Sequence, residues 1–202
     1  KSLCYQLPTM MQEGLCLVIS PLIALMEDQI QHLDNIGIKA IVLSSKLNKD
    51  EMITAFDNLS YGPYKFLYIS PEKLQSTFVQ EKIAALNINL IAIDEAHCIS
   101  QWGHDFRPSY LNIKKLTESL SQVPIIALTA TASPKVQKDI IENLDLNEVS
   151  VIKETFFISK LRIHVTEKEK FYSILKPKLN LSNEHSIDYT GTPKESMHLS
   201  DY

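Results

Sequence analysis

Only five of the 202 residues are glycine, three are cysteine and one is tryptophan. So little glycine excludes a collagen-like or low-complexity chain, in which glycine is several times commoner. Cys4, Cys16 and Cys98 stand far apart, are odd in number and form no Cys-x-x-Cys pair. That excludes a disulfide-stapled scaffold and the usual zinc-ligand spacings, and it suits free thiols in a reducing compartment. Positive charge is not in excess, since 20 Lys and Arg against 24 Asp and Glu leave a net −4. Bulk charge therefore does not make this a basic nucleic-acid binder, although a local groove needs no positive total. No apolar run approaches the roughly 20 residues of a membrane-spanning helix. The opening residues do not read as a secretory leader, so no membrane partner is expected. What is present is an apolar content of 45%, enough for a real core and, at this length, for one domain and part of another.

Short apolar runs alternate with helix-like stretches. Strands are expected at Leu15 to Ser20, Ile41 to Ser44, Phe66 to Ser70, Leu90 to Ile93 and Ile125 to Thr129, with a short one at Val149 to Lys153. Helices are expected over residues 2–12 (interrupted near Pro8), from Pro21 to about Asn35, from Asn48 to about Leu59, from Pro71, from about Ser109 to Leu120, and from Ser133-Pro134 to near Leu144. Proline suits a first helical turn, where its missing N–H would be unpaired anyway. Asparagine and serine accept from the open N–H groups at a helix start, and Gly37 suits a helix end. This alternation predicts an α/β fold with a parallel sheet covered by helices on both faces. Right-handed crossovers then bring Ser20, Ser70, Asp94 and Thr129 to one sheet edge, where open α/β sheets bind ligands.

One strand end carries two carboxylates, Asp94 and Glu95. Such a pair can divide the work of nucleotide hydrolysis. Asp94 is assigned to Mg²⁺, which takes oxygen ligands and keeps several waters. Glu95 is assigned to the attacking water. Lys1-Ser2 matches the tail of the phosphate-binding pattern Gly-x-x-x-x-Gly-Lys-[Ser/Thr], without its glycine-rich part. In that reading Lys1 reaches the β- and γ-phosphates of ATP and Ser2 joins Asp94 at the metal. The loop after Glu95 holds His97, Gln101, Trp102, His104, Asp105, Phe106 and Arg107. Bases stack on exposed aromatic rings for about 1–3 kcal/mol each, and arginine adds cation–π attraction. Trp102, Phe106 and Arg107 are thus candidate nucleic-acid contacts; the bland alternative has Trp102 anchoring the loop on the core. Ser20 and Ser70 either donate to a nucleic-acid phosphate or simply cap helices. Thr129 and Thr131 likewise either relay the nucleotide state or cap the next helix. His97, Cys98 and His104 fit no common zinc spacing. Lys135, Lys138 and Lys153 read as a solvated face.

Taken together, these residues resemble a known family. Asp94-Glu95-Ala96-His97 is similar to a DEAH-type Walker B box, and Cys98 to Pro108 (Cys-Ile-Ser-Gln-Trp-Gly-His-Asp-Phe-Arg-Pro) resembles the aromatic-rich loop of RecQ-type DNA helicases. Lys1 to Pro8 is similar to helicase motif I, Val18 to Gln29 to motif Ia, Tyr68 to Leu74 to motif Ib and Ala127 to Ala132 to motif III. The resemblance implies a RecA-like lobe of P-loop NTPase type, N-terminally truncated, over residues 1–155. It implies an inter-lobe connector at 156–170, including Phe156 to Val165, and the incomplete start of a second lobe at 171–202, in which Asp188 and Pro193 depart from the pattern. It further implies an ATP- and Mg²⁺-dependent 3′-to-5′ motor on single-stranded and duplex DNA in repair and recombination. Such a protein would be intracellular, cytoplasmic or at the nucleoid in a bacterium and nuclear in a eukaryote. Its catalytic residues would be Lys1, Asp94 and Glu95. Its DNA-binding and coupling residues would be His97, Gln101, Trp102, Phe106, Arg107, Ser20, Ser70, Thr129 and Thr131, with Gln29 facing the strand. The chain alone is expected to be inactive. Two alternatives stay open: a non-catalytic nucleic-acid-binding module, and an RNA-directed helicase lobe.

Overall fold

The computed structural model describes residues 1–43, 47–146 and 148–153. The expected connector and second-lobe segments lie outside them. Residues Lys1–Val151 form one compact unit. Five strands, β1 (Leu15–Ile19), β2 (Lys39–Leu43), β3 (Tyr64–Ile69), β4 (Ile88–Ile93) and β5 (Ile125–Ala127), make a sheet in the order β2-β3-β1-β4-β5. Every pairing is parallel. Six α-helices are described: α1 (Leu3–Met10), α2 (Ile23–Asn35), α3 (Lys49–Tyr61), α4 (Thr77–Ala84), α5 (Ile113–Ser119) and α6 (Pro134–Asn143).

The central strands are apolar on both faces because both faces are covered. Side chains alternate across a strand. Leu15, Leu17 and Ile19 of β1 therefore join Leu67, Ile69, Ile91 and Ile93 on one face, against Phe56, Val79, Ile113 and Ile140 of α3 to α6. Cys16 and Val18 join Phe66, Tyr68 and Ala92 on the other, against Tyr5, Met26 and Leu33 of α1 and α2. Each such large apolar side chain contributes roughly 1.5–3 kcal/mol by leaving water. Ile19 pairs with Ile69 and Ile93, and Ile93 pairs with Ala127. Ser20, Ser70 and Asp94 thus leave the sheet at one edge, as expected.

Local chemistry sets most element ends. Asn48 and Glu51 form a reciprocal capping box at the start of α3. The Ser133 hydroxyl accepts from Val136 N at the start of α6. At the end of α2, Gly37 takes φ +79°. Its N–H donates to Asp34 O while Ile38 N–H donates to Leu33 O, the paired closure that a left-handed glycine permits.

Five expectations are corrected. Pro21 does not open α2; it precedes the N-cap, Leu22. Pro71 does not open a long helix. Ser70 O accepts from Lys73 N, so a 3-10 turn (Lys73–Gln75) comes first, Ser76 is extended, and α4 starts at Thr77. Likewise a 3-10 turn (Pro108–Asn112) precedes α5. Pro8 does not interrupt α1, because the helix ends two residues later and Thr9 Oγ1 donates to Tyr5 O at 2.8 Å. The strand expected at Val149 to Lys153 is not formed: these residues carry no strand pairing, and Val151 and Ile152 are 51% and 91% exposed. Their β-branched side chains favour extension, but without a partner ladder propensity makes no strand. Among the described residues no helix is long and apolar enough to cross a membrane.

Candidate active site

The site is built where β4 ends. Asp94 N–H donates to Ile19 O, and Ala96 N–H to Leu128 O, so the backbone of this turn is bound to the neighbouring strand ends on both sides. Between these anchors Glu95 takes φ 46°, ψ 44°, the left-handed region. That conformation costs a residue with a Cβ about 1–2 kcal/mol. The surrounding hydrogen bonds hold it there, among them Glu95 N–H to Asp94 Oδ1 at 2.9 Å and Cys98 N–H to Glu95 O. From below, the buried Tyr110 hydroxyl donates to Asp94 O at 2.9 Å. Burial pushes the Tyr110 phenol well up from its ordinary value, so it stays a neutral donor.

Lys1 meets both carboxylates. Its Nζ lies 2.7 Å from Glu95 Oε1 and 3.8 Å from Asp94 Oδ1. The other Glu95 oxygen, Oε2, is 3.2 Å from His97 Nδ1, which is also 3.0 Å from Thr129 Oγ1. The Thr129 hydroxyl proton goes to Thr131 O, so Nδ1 carries the proton and donates to Thr129 Oγ1, a tautomer inferred from its partners. Burial pulls the His97 pKa down, the His104 ring adds to this, and Glu95 opposes it. The imidazole is therefore neutral at pH 7. The His104 ring stacks on it, 4.2 Å between centroids and 16° between planes. Thr129 Oγ1 accepts from Thr131 N–H at 3.2 Å and donates to Thr131 O at 3.3 Å. Lys1, Glu95, His97, Thr129 and Thr131 thus form one continuous polar chain.

Other expected site residues are placed differently. Ser2 stands at the start of α1, where its carbonyl accepts from Tyr5 and Gln6. Ser20 is only 3% exposed, and its hydroxyl is buried without a hydrogen-bond partner among the described residues. In this conformation it is not presented to a ligand. Ser70 is half-buried at the same edge. Gln29 is half-buried, and its Oε1 accepts from Tyr5 OH and Gln6 Nε2. Gln101 is exposed and Phe106 half-buried. Arg107 Nε lies 3.2 Å from Asp105 Oδ2, and its Nη1 donates to Pro21 O at 3.3 Å, tying this loop to the β1–α2 turn.

Trp102 does not anchor the loop in the core, being 63% exposed. Its backbone N–H donates to Ser100 Oγ at 3.1 Å, and Ser100 Oγ donates to Asp139 Oδ2 on α6 at 2.6 Å. Lys135, expected on a solvated face, places its ammonium 3.0 Å from the Trp102 ring centroid. A Cβ on Gly103 would overlap His97 O, so the loop can close here only with glycine. Sequence reasoning missed Tyr110, Ser100, Asp139 and the Lys135–Trp102 contact. Tyr110, Ile113 and Leu116 lie at three-residue spacing and so mark a buried stripe, but the target of the hydroxyl is a tertiary fact.

The donor set suits Mg²⁺. Asp94 spends one of its roughly four acceptor positions on Glu95 N–H, and Mg²⁺ needs only one or two carboxylates beside water.

A family model described as DEAD/DEAH box helicase matches residues 1–140. The chain belongs to the DEAD/DEAH box helicase family. Within that family its sequence sides with RecQ-type proteins. It is 42% identical over 198 residues to the ATP-dependent DNA helicase RecQ of Bacillus subtilis, covering 97% of this chain and 34% of that protein. It is 50% identical over 147 residues to the probable ATP-dependent DNA helicase RecS of the same organism, covering 72% of this chain and 29% of that protein. The crystal structure of the DUF1998 helicase MrfA matches with a TM-score of 0.68 at 18% identity, covering 100% of this chain and 33% of that one. This last likeness supports the RecA-like fold alone. The chain spans about a third of the length of these relatives.

Proposed function

We propose that this chain is part of the motor of a RecQ-type helicase that couples ATP hydrolysis to 3′-to-5′ translocation on single-stranded DNA and to duplex unwinding. The reading extends to an intracellular role in DNA repair and recombination. One observation carries it: the unbroken polar chain from Lys1 through Glu95, His97 and Thr129 to Thr131, beside a loop with an exposed tryptophan and a half-buried arginine.

In this reading Lys1 gives its positive charge to the β- and γ-phosphates and leaves Glu95 to do so. Glu95, released, takes the proton of the attacking water. Asp94 and Ser2 would hold Mg²⁺, which supplies charge neutralisation at the phosphates when bound. His97 keeps a hydrogen bond to Glu95 or to Thr129 according to where the glutamate sits, and so passes the nucleotide state to the Thr129–Thr131 turn. Trp102, Phe106, Arg107 and Gln101 contact the DNA strand, with Ser70 and, after a local rearrangement, Ser20 at its phosphates. Residues 1–155 act as the first lobe, 156–170 as the connector and 171–202 as the start of the second.

Polarity is tested by strand displacement with a version of the protein extended to the length of its relatives. A duplex with a 3′ single-stranded tail is expected to be unwound with ATP, and one with a 5′ tail is not. Equal unwinding of both, or of the 5′-tailed duplex alone, would sink the polarity assignment.

A further inference from the structure

We propose that Lys135 is a positioning residue for Trp102: its ammonium backs one face of the indole and fixes the ring so that the opposite face is offered to a base of single-stranded DNA. This rests on the function proposed above and deepens it. The Lys135 ammonium stands 3.0 Å from the ring centroid, which covers one face. Trp102 nevertheless remains 63% exposed, so the other face is open. An exposed tryptophan with nothing behind it turns about two side-chain bonds, and stacking would have to arrest that motion. A cation already seated on the ring removes part of this cost before DNA arrives.

The backbone of the same residue is fixed separately. Trp102 N–H donates to Ser100 Oγ, which donates to Asp139. Lys135 and Asp139 are four residues apart on α6 and so lie on one helix face. That face holds the loop twice, by its backbone through Asp139 and by its ring through Lys135. The same helix follows the turn in which Thr129 meets His97. Lys138, also on α6, differs: it pairs with Glu142 at 3.6 Å and provides a matched control of equal charge.

Trp102 is the one tryptophan of the chain, so intrinsic emission reports this ring alone. The test compares the 202-residue chain with its Lys135→Gln, Lys135→Arg and Lys138→Gln variants. Emission anisotropy and acrylamide quenching are read without DNA, and affinity is read with fluorescein-labelled oligothymidylate. Lys135→Gln is expected to lower the anisotropy, increase the quenching and weaken binding about two- to fivefold beyond Lys138→Gln, the size of an exposed cation–π contact. Lys135→Arg, which keeps a cation over the ring, is expected to restore all three. Unchanged emission in Lys135→Gln, or binding equal to that of Lys138→Gln, would overturn the assignment. Tighter binding would overturn it too, because the lysine would then be blocking the stacking face. A wild-type chain that binds no oligothymidylate would overturn the DNA reading itself, and the emission would show separately whether Lys135 fixes the ring.

Discussion

Glu95→Gln, in a version of the protein extended to the length of its relatives, is expected to lower ATP turnover by about 10²- to 10⁴-fold, the usual contribution of a positioned general base, with the fold and nucleotide binding intact. Glutamine keeps the shape and can still accept from Lys1 through its one amide oxygen, but its NH2 would then face His97 Nδ1–H, and it cannot take a proton from water. Two structural costs compete with this reading, and both are small. The Lys1–Glu95 ion pair has side chains 37% and 22% exposed, and exposed pairs contribute about 0–1 kcal/mol. The left-handed backbone at position 95 strains glutamine as it strains glutamate, so that term cancels. A chemical effect of several kcal/mol therefore stands well above the structural one. Steady-state turnover beside fluorescent-nucleotide binding separates them. Turnover within about threefold of wild type would remove Glu95 from the chemistry.

The second large effect falls on Lys1. In the same extended protein, Lys1→Met is expected to reduce turnover by about 10²- to 10³-fold, as loss of one positioned charge donor does, and to weaken nucleotide binding as well. The ammonium lies between two carboxylates, 2.7 Å and 3.8 Å away. Without it Asp94 and Glu95 face each other uncompensated and repel an incoming phosphate. Glu95→Gln spares binding while Lys1→Met harms both, and that contrast distinguishes a base from a phosphate clamp. A Lys1→Met variant that binds nucleotide as wild type does would break the assignment.

Much of the fold was legible because the strands obey one physical rule. Leu15 to Ile19 and Phe66 to Ile69 are apolar at every position, which only a strand covered on both faces requires, and both are buried throughout. Asn48, Gly37 and Ser133 announced their helix ends through cap chemistry that acts within four residues. The prolines misled because the rule they follow is permissive. Proline tolerates a first helical turn without starting one, and after Ser70 the chain forms a 3-10 turn that buries Leu74 completely. Val149 to Lys153 misled because β-branching suits a strand but does not supply a neighbour. At the site, Asp94, Glu95 and Lys1 were legible as residue types at a strand end and a helix start. The roles of Tyr110, Asp139 and Lys135 were not. Each acts across 16 to 39 residues, through contacts that exist only after α5 and α6 have packed on the sheet.

The most direct test of the account is ATP turnover by a version of the protein extended to the length of its relatives, measured with and without single-stranded DNA. The account predicts low basal turnover, marked stimulation by single-stranded DNA and little by RNA of the same sequence. No turnover in either condition, with DNA binding retained, would contradict the motor and leave a nucleic-acid-binding module. Stimulation by RNA in place of DNA would keep the motor and contradict its substrate.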